Sequence, residues 1–552
     1  VTPEELSSVV KTTLAEAVAA GDIALETLPE DVRVERPKSR DHGDWATNIA
    51  LQLAKPARMN PRQLAEALAT RLADHSGITH VEVAGPGFIN VTLDAAAAGQ
   101  LAQNIVEGGE TYGHNQALNG HVINLEYVSA NPTGPLHMGH TRWAALGDAL
   151  LRLLRASGAQ VTAEYYINDA GNQMSVFAAT VLAALHGEDT PEGGYPGEYI
   201  NDLAETVAEQ RPDVRGLPRS EALPVVREIA YRAQLAQIRG TLKAFGVHFD
   251  EWFSEKSLHD EKLIDSAIAT LREQGNIDDR DGAVWLRTTD FGDDKDRVLI
   301  KDDGEPTYFA ADAAYYLSKR DRGFSEKIYI LGADHHGYVG RLKAMAACAG
   351  DDPEQNIEIL IGQLMSVKGA RLSKRKGNVI ALDDLIEWLG TDALRYTLAR
   401  YPADSPIDVD PEVLQSKTND NPVFYVQYAH ARACNAARNA EAQGVDHSSF
   451  DAAQLAHARE EELLAHLAKF PNTVARAAEL REPHRVARYL EDLAGAYHAW
   501  YAKCRIAPST LEDGTVEPVT DLNRTRLWLN SATAQVLRNG LTLLGVSAPE
   551  QM

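Results

Sequence analysis

His137 and His140 stand three residues apart in His137-Met138-Gly139-His140, and a second cluster, Lys368-Gly369-Ala370-Arg371-Leu372-Ser373-Lys374-Arg375-Lys376-Gly377, puts five basic side chains within nine positions. Imidazoles at i and i+3 share one face of the first turn of a helix, where unpaired backbone N–H groups and the positive dipole end favour phosphate. Gly139 between them leaves room for a flat base against the backbone. A basic loop bounded by glycines can close on a substrate and neutralise charge developing on a leaving pyrophosphate. Taken singly, the histidines read equally well as polar residues at an exposed helix start, and the loop as a solvated turn. Taken together, they can hold the triphosphate of ATP from two sides.

Such residues need a frame. An apolar run over residues 122–128 predicts a strand, and residues 129–135, rich in Ser, Asn, Pro and Gly, predict a loop. Trp143, Leu146, Leu150 and Leu153 then recur at three- and four-residue intervals, predicting a helix with one apolar stripe that stops at Gly158. Residues 161–167 predict a second strand. This is a strand–helix–strand unit of a parallel sheet, whose ligands lie beyond the carboxyl ends of the strands. The expected fold class is α/β, with a doubly wound Rossmann-type core, an N-terminal α+β domain and a C-terminal all-α domain. The expected boundaries are 1–115, 116–400 and 401–552. An insertion is expected within the core around 175–255, marked by the Gly-, Pro- and acid-rich stretch 186–220; it is too short for a separate hydrolytic editing domain. Pro402, Pro406 and Pro411 mark the hinge into the alanine-rich terminal domain.

The 552 residues carry a formal net charge of -25, which opposes non-specific nucleic-acid binding and requires any RNA contact to come from a local patch. Residues 421–552 are close to neutral, so the terminal domain is the less repulsive surface. Its Arg476, Arg481, Arg485 and Arg488 recur at helical spacing and fit either a phosphate-tracking face or a solvated one. Cys348, Cys434 and Cys504 are scattered without CxxC spacing, which excludes the usual structural-metal and disulfide patterns. No apolar run reaches membrane length and no basic-then-apolar leader opens the sequence, so a cytoplasmic location without membrane contact is expected.

The two motifs resemble the HIGH and KMSKS signatures of class I aminoacyl-tRNA synthetases. The finer resemblance is to arginyl-tRNA synthetases and runs almost end to end. It includes residues 41–48 and 84–90, similar to that family's extra N-terminal domain that contacts tRNA, and residues 168–173, 195–200, 392–395 and 422–432. Where many arginyl enzymes lack the second lysine of KMSKS and carry a compensating one three residues before the first histidine, this chain has Gly134 and keeps Lys374. Arg371 replaces the first lysine, preserving charge but not ammonium geometry.

The resemblance implies activation of L-arginine by ATP with Mg2+, as substrate, and transfer to tRNA(Arg), with no tightly bound cofactor, no metal ligands and a monomeric chain. It implies catalytic roles for His137, His140 and Lys374, and ATP contacts by these with Gly139, Asp334, Arg371 and Ser373. Arginine contacts are implied for Glu126, Ser129, Asn131, His140, Tyr308, Asp312 and His335, with Tyr308 and Asp312 four apart on one helical face; Asp334 or His335 alternatively faces the ATP ribose. Carboxylates suit a planar guanidinium because they bind it in a two-pronged way. Tyr497, Trp500, Tyr501 and Met552 are the implied anticodon contacts, although i, i+3, i+4 spacing equally describes a buried stripe.

Overall fold

The computed structural model describes residues 3–35, 37, 42–93, 98–332, 336–368, 380–509 and 515–552. Five parallel strands form the central sheet: Val122–Glu126, Gln160–Ile167, Glu251–Ser254, Glu326–Gly332 and Ile357–Gly362. Their spatial order is fifth, fourth, first, second, third. Inward residues such as Ile123, Leu125, Ala163, Tyr165, Ile328 and Ile330 are buried, as expected of a parallel sheet covered on both faces. The order reverses between the first and fourth strands, so the ligand crevice of this doubly wound fold lies beyond Glu126 and Gly332.

The helix joining the first two strands spans Met138–Ala156 and ends at Ser157 before Gly158, whose φ is 93°. Its apolar stripe is only part of its buried surface, because Thr141, Arg142 and Asp148 are buried as well. Helices Thr391–Ala399 and Phe470–Glu479 cover the faces turned away from the sheet. Arg142 donates to the carbonyls of Gln363 (2.6 Å) and Pro402 (2.8 Å), and burial lowers its pKa to about 10.

The connection from the second to the third strand is long and helical. Asn172–His186, Glu198–Gln210 and Arg219–Ala244 pack around their own core of Phe177, Val181, Leu203, Val207 and Val226. A second excursion follows the third strand, a three-stranded antiparallel sheet of Ile277–Arg280, Ala283–Leu286 and Arg297–Ile300. It delivers the chain to helix Tyr308–Asp321, capped by Thr307 Oγ1.

At the amino end, a four-stranded antiparallel sheet pairs Ile78–Ala84 with Phe88–Leu93 and is backed by helices Pro3–Ala19 and Pro61–Leu72. The following helix, Leu101–Gly108, packs on the helix Asp521–Leu543 near the carboxyl end. There Asn539 Nδ2 donates to the carbonyls of Gly109 and Tyr112, both at 2.9 Å. Strand Ile407–Val409, inside the expected terminal domain, pairs in parallel with Met365–Val367 of the core, and the chain beyond it is mainly helical among the described residues, with long members Pro422–Glu441, His484–Tyr501 and Asp521–Leu543. Among the described residues, no helix is long and apolar enough to cross a membrane.

Candidate active site

The first strand ends on Glu126, and the chain then turns through Val128 and Ser129 with φ of 67° and 40°. A β-branched residue in the left-handed region costs about 1–3 kcal/mol, strain of a kind that clusters at ligand sites. The turn is held by Ser129, whose Oγ donates to Glu126 Oε1 (3.3 Å) and accepts from the Tyr166 N–H (3.1 Å). Asn131 stands exposed on the loop beyond.

Glu126 is itself held in place by the fold. Its Oε2 accepts from Lys319 Nζ (2.5 Å) and Tyr315 Oη (2.9 Å). Lys319 is fully buried, also lies 3.9 Å from Glu164, and sits over the rings of Tyr315 and Tyr329. Arg322 closes the cluster on Glu164 at 2.7 Å. Burial works to raise the Glu164 pKa, yet Lys319 and Arg322 outweigh it and hold the carboxyl below its ordinary range. Two carboxylates and two cations thus neutralise one another within the fold. Lys319 is a site residue that the sequence reading missed.

Asp312, one helical turn after Tyr308, has no such ion pair among the described residues. Burial raises its pKa to about 7, Glu255 and Glu126 add to the rise, and Arg341 opposes it. Glu255, at the end of the third strand, is buried too, and its pKa is raised by burial and by Asp169; Tyr166 is its hydrogen-bond partner. Acids in this state favour an incoming cation, because pairing removes the cost of their burial. Tyr308 is 78% exposed at the mouth, its hydroxyl directed toward Gly171.

The paired imidazoles lie with ring centroids 3.9 Å apart. The Gly139 N–H donates to His137 Nδ1 (3.1 Å), and the His137 N–H to His140 Nδ1 (3.3 Å). Both Nδ1 atoms therefore accept, so each Nε2 carries the proton and, among the described residues, has no hydrogen-bond partner. Burial lowers both pKa values, that of His140 to about 3 with His137 contributing, so the rings are neutral at physiological pH. Gly139 has a local reason for lacking a side chain: a Cβ would come within 3.0 Å of the His137 ring. The backbone N–H groups expected to meet phosphate are occupied, since that of Met138 donates to Ile380 O (2.9 Å) and that of His140 to His137 O (2.8 Å). The imidazole Nε2–H groups, rather than the helix end, are the available donors.

The same Ile380 contact joins the two motifs. The Leu382 N–H donates to Leu136 O (2.8 Å), and His137 pairs antiparallel with Ala381. The chain leaving the basic loop is thus hydrogen-bonded to the histidine motif. Arg371, Ser373 and Lys374 themselves, like Asp334 and His335, lie outside the described residues.

In the terminal domain the aromatic stripe divides. Tyr497 and Trp500 are fully buried, Tyr497 donating to Asn530 Oδ1 (2.9 Å), so neither can stack on an RNA base in this conformation; the spacing marks core packing. Tyr501 and Met552 are exposed, at 39% and 57%. The accessible aromatic surface runs along Pro422–Glu441 instead. Phe424 stacks on Tyr428, Arg432 lies over Tyr428 and Tyr501, and His498 contacts Tyr425 and Tyr428. Phe424, Tyr425, Tyr428 and Arg432, at helical spacing within residues 422–432, carried that signal. Of the four arginines, Arg476 and Arg485 pair with Glu479 and Glu482, and Arg481 crosses to Glu358 (2.9 Å) and Glu326 (3.8 Å) on the catalytic sheet. Arg488 is exposed.

A parallel sheet ordered in this way, with residues 380–382 hydrogen-bonded to the histidine motif beside its switch point, has the architecture of a class I aminoacyl-tRNA synthetase. The match of residues 100–197 and 227–397 to the family "tRNA synthetases class I (R), catalytic domain" agrees. Residues 4–93 match "Arginyl tRNA synthetase N terminal domain", and residues 426–552 match "DALR anticodon binding domain". The sequence is 69% identical over 554 residues, all of both chains, to the arginine–tRNA ligase of Micrococcus luteus, and 66% identical over 553 residues, again all of both, to that of Paenarthrobacter aurescens. The Thermus thermophilus arginyl-tRNA synthetase has the same fold, with a TM-score of 0.76 at 23% identity over 99% of this chain and all of the other. The chain belongs to the arginyl-tRNA synthetases, ligases that activate L-arginine with ATP and charge it onto tRNA.

Proposed function

We propose that Asp312 and Tyr308 receive the guanidinium of arginine, that Glu126, Ser129 and Asn131 orient its amino-acid end, and that His137 and His140 hold ATP through their Nε2–H groups. The observation that supports this reading is the hydrogen bonding of residues 380–382, which follow the basic segment in sequence, to residues 136–138 of the histidine motif. The arginine carboxylate attacks the α-phosphorus in line. His137 and His140 steady the phosphates, and Lys374, Arg371 and Ser373 meet the departing pyrophosphate, with Mg2+ accompanying ATP as part of the substrate. The ribose lies toward Asp334 or His335. Catalysis is then chiefly positioning and electrostatics. The terminal ribose hydroxyl of tRNA(Arg) attacks the adenylate in the second step. A monomer acting in the cytoplasm fits this reading.

Arginine-dependent exchange of pyrophosphate into ATP, run with and without tRNA(Arg), tests it. Exchange is expected only when tRNA is present, and lysine should not replace arginine. Rapid exchange without tRNA would contradict the expected coupling of the two steps.

The pocket also sets a pH dependence. Asp312 must be ionised to pair with a guanidinium, and in the empty pocket it is protonated below about pH 7. The arginine Kd is therefore expected to fall with rising pH, by about tenfold per unit below pH 7, and to level above about pH 8. Glu255, Glu126 and Arg341 share the field at Asp312, so Asp312→Asn serves as the control and should flatten the profile. A wild-type Kd constant across this range would remove Asp312 from the guanidinium site.

For the anticodon, the half-buried ladder of Tyr425, Tyr428, Arg432 and His498, with the exposed Tyr501 and Met552, is the proposed stacking surface. Tyr501→Ala should raise the tRNA KM by roughly tenfold, the worth of about one base stack, with an unchanged melting temperature. Trp500→Ala should instead cost about 3 kcal/mol of stability and leave the tRNA affinity of the folded enzyme intact. The reverse pattern, measured by thermal melts and tRNA titration, would return the role to Trp500.

A further inference from the structure

Helix Thr391–Ala399 touches three parts of the molecule through two side chains one turn apart. Arg395 is completely buried. Its Nη2 pairs with Asp148, on the helix that begins with the histidine motif, and its Nη1 donates to Phe245 O at 2.8 Å, just past the helix Arg219–Ala244. Its Nε and Nη2 also donate to Leu544 O, both at 3.3 Å, beyond the last long helix. Gly545 makes this approach possible: its φ is 66°, and a Cβ there would lie 1.9 Å from Arg395 Nη2. Asp392 accepts from the Ser547 N–H at 3.1 Å, from Ser547 Oγ, and from Gln427 Nε2 at 2.8 Å. Gln427 Nε2 in turn donates to Ser547 O at 2.9 Å. The segment Leu544–Ser547 is thus gripped by the helix that also grips the histidine helix.

The grip reaches the reacting end by a second route. Helix Leu382–Leu389 precedes Thr391–Ala399 directly; its first residue, Leu382, is bonded to Leu136, and Ile380 just before it to Met138. The two-helix unit is therefore fastened to the histidine helix at both ends, through residues 380–382 and through Arg395 to Asp148. A buried, multiply bonded guanidinium resists partial displacement, since breaking one bond leaves a charge unpaired.

We propose that Arg395 and Asp392 are positioning residues for the activation step, transmitting the seating of Leu544–Ser547, and with it of the helical terminal domain, to His137, His140 and the anchor of the basic loop. This rests on the reading of those histidines as the phosphate-holding groups. Neither Arg395 nor Asp392 touches substrate.

Ser547→Ala, Asp392→Asn and the double variant of the full-length enzyme test it, with turnover normalised to active sites by a single-turnover burst. Each single change is expected to lower kcat roughly tenfold, with the KM for tRNA, arginine and ATP within about twofold and the melting temperature within about 3 °C. The double variant should be no slower than the slower single, because both cut one link. Arg395→Lys, should it fold, is expected to be at least as slow as Asp392→Asn. Unchanged kcat per active site in Ser547→Ala and Asp392→Asn, or losses that appear in the tRNA KM or add in the double variant, would overturn the proposal. His140→Ala run alongside separates the layers. Loss of turnover there with full turnover in Ser547→Ala and Asp392→Asn removes only the coupling, whereas full turnover in His140→Ala removes the reading beneath it.

Discussion

Asp312→Ala is expected to cost about 3–5 kcal/mol in arginine recognition, read as the change in kcat/KM for arginine, because a buried guanidinium is left without its partner. The structure sharpens the expectation. Glu126 cannot take over, since Lys319 and Tyr315 already occupy its Oε2. Glu255 remains as an acid in the same field, and its buried carboxyl holds its proton more readily than an exposed one. The loss should therefore fall mainly in arginine KM, with ATP KM little changed. Wild-type kcat/KM in the alanine variant would place Asp312 outside the pocket.

Lys374→Ala is expected to slow adenylate formation by ~10²–10³-fold, the loss of one preorganised contact to charge that develops in the transition state. Arginine binding should stay near normal, since the contact forms with the departing pyrophosphate. Single-turnover adenylation with tRNA present measures it. Because Gly134 leaves no lysine beside the histidine motif to substitute, near-normal turnover would mean that Arg371, Arg375 or Lys376 supplies the cation.

The strand–helix–strand unit around the histidines was legible because local rules agreed there: an apolar run, a turn-rich loop, a helical stripe and a glycine stop all marked the same boundaries. The pairing of the two motifs could be suspected from chemistry alone, yet the contact that joins them runs through Ile380, Ala381 and Leu382, residues with no chemical signature. The same contact occupies the first-turn N–H of Met138, so the helix end read as a phosphate site is closed by a segment more than 200 residues away in sequence. Lys319 was invisible for a related reason. On a helix beside Ser318 and Arg320 it reads as a surface lysine, and only the parallel sheet brings Glu126 and Glu164 around it. The strands Ile277–Arg280 and Arg297–Ile300 are only four residues long, the first mostly charged and the second without polar alternation, so neither shows the pattern that announces a strand. Tyr497 and Trp500 show the limit of periodicity: one spacing serves a stacking surface and a core equally, and burial decided for the core.

The docking of Leu101–Gly108 onto Asp521–Leu543 governs the order in which the molecule can be completed during synthesis. The N-terminal sheet and its helices make mainly local contacts and can form soon after they emerge from the ribosome. The surface that receives the next helix belongs to a segment about 430 positions later, as the bond from Asn539 to Gly109 makes plain. Until that segment is translated, the first domain hangs from the nascent chain with the apolar face of Leu101, Ala102 and Ile105 uncovered. Its final orientation is thus among the last features of the architecture to be fixed, and the exposed face in the interval is a surface for chaperone capture or misassembly.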